Sequence, residues 1–216
     1  MKKVLVILAA LVLCSFKADT TTAGIPSGEK LVYVGSYNMS GLMTHIAQVT
    51  MSTESVKTAK NNYLHISCEL STFTKWDKFF KIRDIYESYV NPATMMPSLY
   101  NRNINEGGYI KKEKYVFKGA SVTSTTSKKN KIETTRKFTI GKSTQDVVSM
   151  MYKLRTADLA SMKTGATKSF TIVFDEEQVP VTIKMMGIET IDAGNLGEKK
   201  CYKLSIGAKT KVLKGT

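Results

Sequence analysis

The chain has 216 residues, with 32 Lys and Arg against 18 Asp and Glu, a formal net charge of +14. His45 and His65 are its histidines, and it contains no Cys-x-x-Cys, His-Glu-x-x-His or Gly-x-Ser-x-Gly, which removes the common zinc, redox and serine-hydrolase plans. Lysines are scattered rather than interleaved with aromatics, so a nucleic-acid platform is excluded and an anionic envelope surface is the partner class that the charge allows.

The N-terminus reads as an export signal: Lys2 and Lys3, an apolar run over 4–13, then a polar stretch. The expected leader is 1–18, with cleavage after Ala18 or Ala23, and Cys14 at the end of the apolar run raises lipid anchoring as a second fate. The run is too short for a transmembrane helix, and no second one follows, so the mature chain is expected to have no transmembrane span. Loss of Lys2, Lys3 and Lys17 would leave a net charge of +11. Residues 19–216 suit one mainly β domain with a sizeable core.

Alternating segments at 31–37 and 46–51, separated by Asn38-Met39-Ser40-Gly41, predict a first hairpin. A third strand is expected over 61–70. Thr72 then precedes Phe73, Trp76, Phe79 and Phe80 at helical spacing, which predicts a short helix with an aromatic stripe against the sheet. Segments 83–89 and 99–106 read as an antiparallel pair with Tyr89 opposite Tyr100, Ile85 opposite Ile104, Glu87 opposite Arg102, and Arg83 opposite Glu106.

Further strands are expected at 115–117, 132–140, 170–174, 179–185 and 201–206, with a tight turn at Asp175-Glu176-Glu177 and another over 192–197. The Ser, Thr, Lys and Asn composition of 121–131 suggests a hairpin tip or loop. A second helix is expected from Ser143 or Thr144 through 146–155, with Val147, Val148, Met151 and Leu154 inward. Short links between successive strands favour a meander. The expected fold is mainly β: a single curved antiparallel sheet or incomplete β-barrel with two short packed helices.

Cys68 and Cys201 would be the cysteines of the mature chain, and an oxidising compartment would permit a disulfide between them. Parity argues against it: Cys68 alternates with Leu64, Ile66 and Leu70, whereas Cys201 falls opposite to Tyr202, Leu204 and Ile206. Glu87 and Glu106 are the nearest approach to a glycosidase carboxylate pair, but the expected register separates them by roughly 13 Å, beyond either hydrolytic geometry. No catalytic residue, metal ligand or cofactor is therefore assigned, and the chain is not read as an enzyme. Arg83, Glu87, Tyr89, Tyr100, Arg102 and Glu106 remain ligand-binding candidates only if they converge in a cavity.

Residues 28–31 with Tyr33, the run 79–89, Arg102 with 106–109, and 146–149 through Tyr152 and 154–155 together resemble a bacterial envelope family known as domain of unknown function 3108 (DUF3108). The resemblance implies an exported protein, periplasmic or outer-membrane associated in a Gram-negative bacterium, with a curved antiparallel sheet. It supplies no catalytic residues. Such domains usually continue with another strand pair, so ending at 214–216 suggests either a fragment or a shortened member, whose open edge Lys209, Lys211 and Lys214 would protect. The functional expectation is binding of an apolar or amphiphilic envelope component, lipid or lipoprotein-like, on a concave β face, aided by the adaptable methionines Met39, Met43, Met51, Met150, Met151, Met185 and Met186, which equally fill cores. The competing expectation is a scaffolding protein that docks on a protein or an anionic polymer.

Overall fold

The computed structural model describes residues 24–208. The leader at 1–18, Cys14, and Lys209, Lys211 and Lys214 lie outside the described residues. Eight strands form one antiparallel meander in chain order: β1 (Lys30–Met39), β2 (Leu42–Lys57), β3 (Asn62–Thr72), β4 (Arg83–Val90), β5 (Pro97–Glu106), β6 (Tyr109–Lys118), β7 (Ser121–Lys128) and β8 (Thr134–Thr139). Helix α1 (Val147–Arg155) follows, and β9 (Thr167–Phe174), β10 (Glu177–Asp192) and β11 (Glu198–Ala208) then make a second sheet in the order β11-β10-β9.

The expected single sheet is thus two sheets, neither closed on itself. On one side they are stitched by the segment before α1: Gln145 N–H donates to Thr171 O at 2.9 Å, and Val173 N–H donates to Gln145 O at 2.8 Å. On the other side, no ladder joins β1 to β11 among the described residues. This seam is where the barrel stays open.

Turn chemistry explains the hairpins. The first turns on Ser40 and Gly41, both at positive φ, with Gly41 N–H donating to Asn38 Oδ1 at 2.7 Å. The link between β9 and β10 uses Asp175 and Glu176, both at positive φ although neither is Gly or Asn. That conformation costs free energy and needs compensation from contacts.

One helix forms, not two. Residues 73–80 make only successive turns, through Trp76 N–H to Phe73 O at 2.8 Å and Phe80 N–H to Trp76 O at 3.0 Å. Phe79 is 80% exposed and Phe80 52% exposed, so the aromatic stripe does not join the core. Segment 121–131 is likewise corrected: its Ser- and Thr-rich first part is β7, a central strand between β6 and β8. Cross-strand pairing has overridden a composition that reads as loop.

The helix expected through 146–155 forms at 147–155, but it starts later than Ser143 or Thr144 and is capped by Asp146. It lies between the two sheets and is buried on two sides. Val148 and Tyr152 enter the core of the large sheet with Leu64, Ile66, Val90, Tyr100 and Tyr115, while Met150, Val147 and Leu154 pack on Val179, Val181 and Ile183 of the small one. Met151, expected inward, is exposed. Each fully buried apolar side chain contributes about 1.5–3 kcal/mol, so α1 is a wedge that holds the sheets together.

The β4–β5 register differs by one residue from the expected one. Ile85 pairs with Asn103, Tyr86 with Arg102, Glu87 with Asn101, Ser88 with Tyr100 and Tyr89 with Leu99. Because side chains alternate, a one-residue slip exchanges the faces of a strand. Asp84, Tyr86 and Ser88 point inward with Tyr100, Arg102 and Ile104, leaving Ile85, Glu87 and Tyr89 on the outer face.

Candidate functional site

The expected cross-strand pairs are replaced by longer-range partners. Arg83 is bound by Asp77, at 2.6 Å between Nη2 and Oδ2. Glu87 accepts from or shares a proton with His65 Nε2 at 3.0 Å on the outer face, where the His65 ring stacks on Tyr89 at 4.4 Å. Glu106 lies against Asp84, and burial together with that neighbouring carboxyl raises its pKa. Tyr100 is fully buried and packs on Tyr115. The six candidates therefore divide between two faces and do not converge in one cavity.

Arg102 belongs to a buried ion network that sequence reasoning missed. Its guanidinium contacts Glu113 of β6 and Asp175 at the β9–β10 tip, and lies 4.3 Å from the centre of the Phe174 ring. Lys111 Nζ bonds the same two carboxylates, at 2.7 Å to Glu113 and 2.7 Å to Asp175. Burial pushes the Asp175 pKa up, but the bond from Lys111 and the Arg102 charge outweigh it and hold the carboxyl below its ordinary value. Next to it, Glu176 accepts from Ser124 Oγ at 2.7 Å and from Arg136 at 2.6 Å, and its N–H donates to Tyr115 Oη at 3.1 Å.

These contacts dock the hairpin tip on the concave face of β5, β6 and β7, and they compensate the two positive φ angles. Charges in the network satisfy one another, which makes it a latch rather than a reactive centre. Its one sequence signal is the pair Asp175-Glu176 at a tight turn where Asn-Gly would be easier.

α1 and the β9–β10 tip lie against the concave face of the large sheet, and the open space left beside the tip is mainly polar, lined by Lys111, Glu113, Asp175 and Glu176 among others. Open apolar space instead lies at the seam. A cleft of about 210 Å³ is lined by Leu31 and Tyr33 of β1, Met51 of β2, Met150, Met151, Tyr152 and Leu154 of α1, and Ile206 of β11. Tyr33 is 48% exposed and Ile206 61% exposed, so the cleft opens to solvent between the two free edges. At one wall Arg155 holds Glu29 through two bonds, 2.5 Å and 2.7 Å, and its guanidinium lies 4.9 Å from the centre of the Tyr152 ring. The Tyr152 hydroxyl is buried without a hydrogen-bond partner in the protein. Burial raises its pKa to about 12, so it is a neutral donor.

Cys68 and Cys201 are free thiols. Cys68 is buried beside Leu64 and Ile66 in the large sheet, where burial raises its pKa to about 11, whereas Cys201 is half-buried on β11 opposite Glu189. Their strands belong to different sheets, and the two are not bridged, in line with the parity argument against a disulfide. Among the described residues no cluster of His, Cys, Asp and Glu is arranged to hold a metal ion, and no helix is long and apolar enough to cross a membrane.

Two antiparallel sheets wedged apart by a helix, with one unpaired seam, define an open barrel-like β protein. A solved structure of the same kind is a "beta-barrel-like protein of domain of unknown function DUF1849" from Brucella abortus, similar at 11% identity and a TM-score of 0.51 over 84% of this chain and 80% of that one. At that identity the likeness is one of fold. A family profile described as "Protein of unknown function (DUF3108)" matches residues 33–215, and the chain belongs to that family. No curated protein matches it.

Proposed function

We propose that this is an exported envelope protein that binds the apolar chain of an amphiphile in the seam cleft between β1, α1 and β11. The observation that carries the reading is the cleft itself: solvent-open, apolar and walled by three methionines. Methionine side chains adapt to irregular apolar ligands. Size limits the occupant. Drug-sized ligands fill about 300–1,000 Å³, so a cleft of about 210 Å³ suits one alkyl chain and not a two-chain lipid.

Titration with a single-chain lysophospholipid, followed through the methionine methyl resonances, tests this. Met51, Met150 and Met151 are expected to shift, while Met186 on the outer side of β10 stays unchanged. Ile206→Glu, at an exposed position on the cleft wall, is expected to abolish the shifts while leaving the fold intact. Unchanged Met51, Met150 and Met151 resonances at saturating lysolipid would overturn the reading.

A further inference from the structure

An antiparallel meander sends its links alternately to opposite ends, so the β1–β2, β3–β4, β5–β6 and β7–β8 links share one end of the large sheet. Hydrogen bonds tie the second link to β2 and to the third link, and the fourth link to β6. Phe73 N–H donates to Ile46 O at 3.0 Å, Trp76 Nε1–H to His45 O at 2.9 Å, Gly107 N–H to Lys81 O at 2.8 Å, and Lys129 N–H to Ile110 O at 3.0 Å.

Large apolar side chains stand exposed along the last three of these links: Phe79 and Phe80 on the second, Tyr109 beside the third at the start of β6, and Ile132, 92% exposed, on the fourth. Single exposed apolar residues are ordinary, but a hydrogen-bonded row of them at one end of a sheet is a patch. Charge is concentrated in the same links. Lys75, Lys78 and Lys81 flank the aromatics, and Lys128, Lys129 and Lys131 surround Ile132. Asp77, the carboxylate within the second link, is already occupied by Arg83, which leaves Glu133 as the acidic neighbour in the fourth.

Apolar tips alternating with lysines on adjacent loops match a surface that is anionic outside and hydrocarbon beneath. We propose that this rim docks the protein on an anionic lipid bilayer, with Phe79, Phe80 and Ile132 entering the headgroup zone and the lysines meeting lipid phosphates. The rim is distinct from the seam cleft, and the proposal stands whether or not the cleft binds an amphiphile.

Trp76, the one tryptophan of the chain, sits in the second link and reports on the rim alone. The full chain is mixed with phosphatidylglycerol vesicles carrying brominated acyl chains, and with phosphatidylcholine vesicles of the same kind, at low and at high salt. Blue-shifted and quenched Trp76 emission is expected with the anionic vesicles and not with the neutral ones, weakening at high salt. Phe79→Ser with Phe80→Ser is expected to lower the partition coefficient at least about tenfold, and Lys75→Gln with Lys78→Gln at least about fivefold. Both variants alter exposed positions, and an unchanged circular dichroism spectrum checks their fold. Unquenched emission on anionic vesicles, equal quenching on neutral ones, or a response unaltered by both variants would overturn the proposal.

Discussion

Burial raises the pKa of Asp146 to about 6 although Ser149 N–H and Ser88 Oγ–H both donate to its carboxyl, at 2.8 Å and 2.6 Å. Its ordinary value is 3.8, so the folded chain binds this proton more tightly than the unfolded chain does. Its contribution is full below about pH 4 and is lost as pH rises through about 6, an effect on the order of 3 kcal/mol. Urea unfolding midpoints are expected to fall across that window, and Asp146→Asn, which retains a capping side chain, is expected to flatten the decline. A second contrast concerns two glutamates that look alike in the sequence. Glu113→Gln leaves two largely buried cations, Arg102 and Lys111, to the single carboxylate of Asp175 and is expected to cost about 3–5 kcal/mol; Glu87→Gln, on the outer face, under about 1 kcal/mol. Equal losses in denaturant titration would contradict the assigned faces. Read as a register code, the charges gave a register one residue out, and their partners were not legible. Glu87 and Arg102 each had a better partner on a strand or turn whose position local pairing could not supply.

The β9–β10 hairpin shows how an element can be locally unfavourable and globally fixed. Replacing Asp175-Glu176 with Asn-Gly would ease both positive φ angles, yet it removes the carboxylates that satisfy Arg102, Lys111 and Arg136. Net destabilisation of about 2–4 kcal/mol is expected, together with faster amide exchange in β9; a stabilised double variant would show that the latch is dispensable. Hairpins and the body of α1 were legible because turn residues and apolar helical spacing act within a few positions, whereas the cap at Asp146 was not read. β7 was not, since Ser and Thr become strand residues there through pairing on both sides. The aromatic run at 73–80 failed as a helix for the opposite reason: with Phe79 and Phe80 outside the core, only single turns form, closed by Trp76 on the β2 backbone.

At the scale of the molecule, a mainly antiparallel, incomplete barrel was legible from the succession of short-linked strands, and the division into two sheets was not. Nothing local in 167–208 says that this hairpin pair will leave the large sheet and meet it again through α1, the segment around Gln145 and an ion latch. That division creates the seam, and the seam creates the cleft in which Leu31, Met51, Met150 and Ile206 meet from four separate elements. Native mass spectrometry of the protein purified from its own cells without denaturant tests the central claim most directly. A noncovalent adduct with the mass of one single-chain amphiphile is expected on the parent and lost from Ile206→Glu. A bare chain, or an adduct retained in full by that variant, would contradict it.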